Sequence, residues 1–206
     1  MEFMIVIGII GGVGSGKSSV ASALAELGAM TLDVDQIGHD LLNETEIKNR
    51  LAERWGTGVT DSSGEIDRSV VAGIVFADSP EAADELKFLE SLVHPRITHQ
   101  LVSRIAEFKQ SGETGVLVID AAVMVKAGWD RLCDRLVFVE VPERDRLARC
   151  QQRGWTSEEF YRRELNQESL ELKRERANWV IDNSGSPQEL TEQVTGIWNH
   201  VHDNQA

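Results

Sequence analysis

The residues of this 206-residue chain best suited by type and spacing to chemistry are Gly11-Gly12-Val13-Gly14-Ser15-Gly16-Lys17-Ser18. They have the G-x-x-x-x-G-K-S spacing of a phosphate-binding loop. Glycines allow a turn tight enough for backbone N–H groups to converge on phosphate oxygens. The lysine reaches β- and γ-phosphates, and the serine after it offers a hydroxyl to Mg²⁺. Gly12, Val13, Gly14, Ser15, Gly16, Lys17, Ser18 and Ser19 are therefore the expected contacts of a nucleoside triphosphate. Lys17 is also expected to act in catalysis, by neutralising the charge on the transferred group.

Phosphoryl transfer further needs a group that takes the acceptor's proton. Asp35 is assigned that role, with a share in holding Mg²⁺. It lies just past a predicted strand, where ligands collect in open α/β sheets. Asp33 is a rival, two places back on a segment read as extended and hence on the same face. Either carboxylate also suits a helix cap. Asp120 ends an apolar run and reads equally as a magnesium-binding carboxylate or a strand-end cap. Arg149 and Arg153 are four apart on a predicted helix, so they face the same way and could clamp transferring phosphates. Lys173 and Arg174 follow on the next helix. The stretch reads as a mobile lid that closes over the triphosphate and excludes water. His94 suits a helix boundary before Pro95, and Arg68 suits either a substrate phosphate or neighbouring acids.

Strands and helices alternate in the way of an α/β fold with a mainly parallel sheet. The apolar run from Phe3 to Ile10 predicts a buried strand that delivers the chain to the loop. Val20, Leu24 and Leu27 then mark a helix ended by Gly28. Residues 29–32 and 179–181 predict a short second strand and a final one, and residues 116–119 and 136–139 two more that are nearly all apolar, as helices on both faces require. Trp55 to Gly64 reads as a loop, Ser79-Pro80-Glu81 as a helix start, His94-Pro95 as an interruption and Gly112 as a helix end. Residues 143–153 predict a basic helix, Thr156 caps a long charged one, and Leu190, Val194 and Trp198 mark the last.

The formal charge of −13 is unevenly spread: residues 144–176 carry +2 and the remainder −15. An acidic body argues against binding nucleic acid or an anionic membrane, whereas a small phosphate ligand needs only local donors. No stretch approaches the ~20 apolar residues of a membrane span. Cys133 and Cys150 follow no metal or redox spacing, so a reducing, cytoplasmic setting is expected. The oligomeric state is not legible.

The ordered series of motifs resembles the dephospho-CoA kinase family over most of the chain. The loop is similar to that family's Gly-Gly-Ile-Gly-Ser-Gly-Lys-Ser, and Leu32-Asp33-Val34-Asp35 to its Ile-Asp-Ala-Asp, whose last carboxylate is the base. Gly64-Glu65-Ile66-Asp67-Arg68 and Val75-Phe76 resemble signatures of its CoA-binding insertion, and residues 89–95 its Leu-Glu-x-Ile-x-His-Pro stretch. Arg149, Arg153 and Gln167 match its lid, and Ile181-Asp182-Asn183-Ser184-Gly185 its Ile-Asp-Asn-x-Gly. The resemblance implies a three-layer P-loop fold of nucleoside-monophosphate-kinase type. One domain is expected, with its core in residues 1–59, 111–144 and 177–206, a helical insertion at about 60–110 and a lid at about 145–176. It implies transfer of the γ-phosphoryl of MgATP to the ribose 3′-hydroxyl of dephospho-CoA, with Arg149 catalytic and Arg68 and His94 binding substrate.

Two departures stand out. The family's Pro-Leu-Leu-x-Glu corresponds to Ala122-Val123-Met124-Val125-Lys126, and an arginine after the base corresponds to His39. They leave room for another small-molecule kinase on this scaffold, or for a nucleotide-binding relative without turnover.

Overall fold

The computed structural model describes residues 4–111 and 115–203. In chain order the elements are β1 (Met4–Gly11), α1 (Lys17–Glu26), β2 (Met30–Asp33), α2 (Val34–Leu42), α3 (Thr45–Trp55), α4 (Arg68–Val75) and α5 (Ala82–Gln110). Then follow β3 (Gly115–Asp120), β4 (Arg135–Glu140), α6 (Glu143–Gln152), α7 (Ser157–Leu165), α8 (Leu170–Arg176), β5 (Trp179–Asp182) and α9 (Pro187–Asp203). They form two compact units. One runs to Val34 and resumes at Val102; the other is Asp35–Leu101.

The first unit holds a five-stranded sheet in the order β2-β3-β1-β4-β5, every pair parallel. Ile5, Ile7 and Ile9 of β1 pack with Val116 and Val118 of β3 and Val137 and Val139 of β4 on one face. Val20 and Leu24 of α1 and Leu190, Val194, Ile197 and Val201 of α9 complete that layer. Val6, Ile10, Leu117, Ile119 and Phe138, which alternate with them, are buried as well. A strand sheltered on both faces is the mark of a three-layer α/β fold, the class expected from the chain's pattern. All the carboxyl ends of the strands lie along one edge, and β1 passes there directly into the glycine-rich loop.

The second unit is helical. Leu41, Leu42, Ile47, Leu51, Val59, Ile66, Val71, Val75, Val93, Ile97 and Leu101 are buried within it. Glu85 binds Arg54 at 2.8 Å and the Trp55 indole N–H at 2.7 Å. Arg96 pairs with Glu46 at 2.7 Å. Asp67 caps α4 by accepting from the Ser69 and Val70 N–H groups. The boundary of this unit falls just before Asp35, well ahead of the insertion expected from about 60.

Several local expectations are corrected. His94-Pro95 does not interrupt a helix: α5 is continuous over 29 residues with Pro95 inside it. Leu86, Leu89, Val93, Ile97, Leu101, Ile105 and Phe108 keep one helical register through the proline. The Ser91 carbonyl that loses its N–H donor lies on the exposed face, as Pro95 does, so water can satisfy it. The segment from Trp55 to Gly64 is not featureless, since Thr57–Val59 form a 3-10 turn and Thr60 bridges to Ile66. The helix expected at Ser79-Pro80-Glu81 begins at Ala82. The long charged helix after Thr156 is two short ones, α7 and α8, separately capped by Thr156 and Ser169. Gly112, the expected helix end, lies outside the described residues.

Candidate active site

The loop between β1 and α1 is held by its own backbone and by side chains from distant elements. Ser15 N–H donates to the Gly12 carbonyl at 3.2 Å, and Gly16 immediately precedes α1. Gly14 has φ of 74°, and a Cβ there would stand 2.6 Å from the Arg146 carbonyl and 2.9 Å from Cys150 Sγ. No other residue type fits that position without moving α6. The Gly14 and Gly16 N–H groups have no acceptor among the described residues, so they are open donors for an anion at the start of a helix. Lys17 Nζ lies 3.2 Å from the Gly12 carbonyl, folded back over the loop it belongs to. Ser18 and Ser19 are exposed in the first turn of α1.

Arg149 is brought onto this loop. Its Nη1 lies 3.4 Å from the Ser15 carbonyl and its Nη2 2.7 Å from the Asn183 carbonyl. Asn183, just past β5, donates its own Nδ2 to the same Ser15 carbonyl at 2.8 Å. Asn183 was legible only as part of a resemblance, and nothing local in sequence links it to a residue 168 positions away. Arg153 lies one residue past the end of α6 at Gln152 and is exposed at its C-terminal cap.

Arg146 had no place in the reading of the sequence. It is buried beneath the loop, donating to the Val13 and Val141 carbonyls and pairing with Glu164 of α7. Lys173, expected as part of a mobile lid, is buried too and donates to the Gly11 carbonyl at 3.2 Å and to Gln167 Oε1 at 2.6 Å. Burial first, and then the positive charge of Lys17, lower its ammonium to about 8. Val13 packs with Cys150 and Phe160, with Leu147 and Trp155 alongside, so α6 and α7 are seated on the loop through an apolar patch. Beside it a cavity of about 410 Å³ opens, lined by Gly12, Pro142, Arg146, Leu170, Arg174 and Ser184 among others.

The carboxylates are sorted by the change of backbone after β2. Asp33 is the last residue of that strand and lies opposite Asp120, the last of β3. Register partners in adjacent strands project to the same face, so these two acids share one side of the sheet's carboxyl edge. Asp35 is not on an extended continuation. It stands in the first turn of α2, exposed, so the same-face relation to Asp33 fails. Within the second unit Arg68 is exposed and lies 2.9 Å from His39 Nδ1, the position where the family resemblance placed an arginine. His94 is half-buried in the middle of α5.

Burial pushes the Cys133 thiol up to about 12, helped by Asp130 and Asp134, and raises Cys150 as well. Neither is a thiolate nucleophile near neutral pH. Among the described residues no group of three or more His, Cys, Asp or Glu side chains could hold a metal, and no helix is long and apolar enough to cross a membrane. Mg²⁺ commonly uses one or two protein oxygens and several phosphate or water ligands. The exposed Ser18 hydroxyl beside open loop amides therefore fits a cation that arrives with a triphosphate.

The profile of the family described as dephospho-CoA kinase matches residues 5–189. Dephospho-CoA kinase of Chlorobaculum tepidum is 35% identical over 202 residues, covering 96% of this chain and 95% of its own. A crystal structure of TT1252 from Thermus thermophilus superposes with a TM-score of 0.78 at 31% identity, covering 97% of this chain and 98% of that one. Dephospho-CoA kinase from Campylobacter jejuni has the same fold, with a TM-score of 0.71 at 20% identity over 99% of this chain and all of its own. The loop, the strand order around it and this match along nearly the whole length lead to one conclusion: the chain belongs to the dephospho-CoA kinase family.

Proposed function

We propose that this protein transfers the γ-phosphoryl group of MgATP to the ribose 3′-hydroxyl of dephospho-CoA, the last step of coenzyme A synthesis. The observation that carries the reading is the loop itself, with open amides at Gly14 and Gly16 and Arg149 drawn onto its Ser15 carbonyl, in a chain of this family. In the reaction the acceptor O–H bond breaks and an O–P bond forms, while the bond from the γ-phosphorus to the bridging oxygen breaks and its electrons leave with ADP. Asp35 accepts the hydroxyl proton. Lys17 balances charge on the β- and γ-phosphates, and the open loop amides, those of Gly14 and Gly16 among them, orient them. Arg149 meets charge developing on the transferred group, and Arg153 clamps the phosphates with it. Arg68 and His94 contact the CoA-type substrate. Ser18 and Asp35 would hold Mg²⁺, which would supply positive charge against the transferring phosphate. Substrates are small molecules, with no nucleic acid or membrane involved, and the setting is cytoplasmic.

Product identification tests the reading directly. Incubation with MgATP and dephospho-CoA should give ADP and a product heavier by one phosphoryl group, with the new phosphate on the 3′-oxygen by phosphorus NMR. Preference for a different alcohol in a panel of hydroxyl acceptors would overturn it.

A further inference from the structure

Arg146 and Lys173, 2% and 3% exposed, are two buried cations that the reaction as described does not use. Both come from the stretch expected to be a lid, yet both point at loop carbonyls, Val13 for Arg146 at 3.1 Å and Gly11 for Lys173 at 3.2 Å. The same nitrogen of each also donates to an acceptor from α7 or the turn after it, Arg146 Nη1 to Glu164 and Lys173 Nζ to Gln167. Arg146 also donates to the Val141 carbonyl and lies over the Phe160 ring at 5.4 Å. Gly12 is shaped to it: a Cβ there would stand 2.5 Å from Nη1. A buried charge is tolerated only where its donors find acceptors, and here the loop backbone provides them.

The consequence lies in the planar peptide. A carbonyl and the N–H of the next residue lie in one plane and point in opposite directions within it. Holding the Gly11 carbonyl therefore aims the Gly12 N–H the other way, and holding the Val13 carbonyl aims the Gly14 N–H. Arg149 and Asn183 do the same through Ser15 for Gly16. Alternate peptides of the loop are thus pinned outward by cations or amide donors.

We infer that Arg146 and Lys173 are positioning residues for the nucleotide, holding the Gly11 and Val13 carbonyls from behind so that the intervening amides stay aimed at the phosphates. This rests on the triphosphate reading of the loop proposed above. The residues touch no substrate. They act through the backbone, and through Glu164 and Gln167 they tie that geometry to the seating of α7 and α8.

The test pairs two measurements on Arg146→Ala, Arg146→Lys and Lys173→Met. In calorimetry with MgATP, Arg146→Ala and Lys173→Met should bind about 10- to 100-fold more weakly, the range for losing a hydrogen bond to a charged group. Dephospho-CoA affinity should stay within about twofold, and Arg146→Lys, which keeps a donor, should recover part of the loss. Without nucleotide, hydrogen exchange at the Ser15 amide, which bonds Gly12 across the loop, should accelerate about tenfold or more. A folded variant with MgATP affinity within about twofold of the parent and unchanged Ser15 exchange overturns the inference. Should Arg146→Ala fail to fold, Lys173→Met decides it by the same criteria. Should the parent itself not bind MgATP, the triphosphate reading fails, and Ser15 exchange alone still judges the brace.

Discussion

In the proposed reaction most of the chemistry depends on Lys17, and its surroundings support that role. Its ammonium lies on the Gly12 carbonyl and within electrostatic reach of buried Lys173, so positive charge is concentrated at the loop proposed to hold the β- and γ-phosphates. Lys17→Ala is expected to weaken MgATP binding and slow turnover together, measured as a rise in the Kd for MgATP with a fall in kcat. Preserved affinity would place the phosphates elsewhere. Lys126 is a different case. It is exposed in the turn that follows β3, where the family pattern has a glutamate. We expect Lys126→Glu to leave kcat unchanged or raise it, and a collapse of activity would give this lysine a task of its own. The loop was legible because its function is coded in consecutive residues. Arg146 and Lys173 were not, since their partners lie 133 and 162 positions away and no periodicity marks them.

At the scale of elements, the stretch 145–176 is anchored at its base. Arg146 and Cys150 of α6, Phe160 of α7 and Lys173 of α8 are buried against the loop and its surroundings, while Arg153 and Leu165 remain exposed. Motion during closure is therefore expected at exposed ends rather than along whole helices. The N-terminus of α7 depends on Thr156, whose side chain accepts from the Glu159 N–H at 3.1 Å. Thr156→Ala should cost about 1 kcal/mol, readable as a lowered urea midpoint, and no loss would mean that α7 is held by Phe160 alone. Elements with strong periodicity were legible in sequence, including all five strands. Pro95 was not legible as a helical residue because a proline commonly breaks a helix, whereas here the apolar register continues through it. Asp35 shows the opposite limit: its place past β2 was legible, but the abrupt start of α2 at Val34, which separates it from Asp33, was not.

For the whole molecule, the buried lysine makes stability depend on pH in a definite direction. The folded chain releases the Lys173 proton near pH 8, whereas the unfolded chain holds it until about its ordinary 10.5. Between those values the unfolded state binds more protons, so unfolding becomes harder as pH rises; below pH 8 both states are protonated and this contribution is flat. Lys173 is faced there by Lys17 and Arg146, which lower its pKa, and by Glu164 and Glu168, which raise it. Relative to Lys173→Met, the parent should gain stability between pH 8 and 10.5 in urea titrations, and parallel slopes would contradict that assignment. The central claim is that this chain is a working kinase with Asp35 as its base. The most direct measurement is ADP release from MgATP with and without dephospho-CoA, in the parent and in Asp35→Asn. Release should require the acceptor and nearly disappear in the variant while MgATP binding persists. Release indifferent to the acceptor, or undiminished in Asp35→Asn, would contradict that claim.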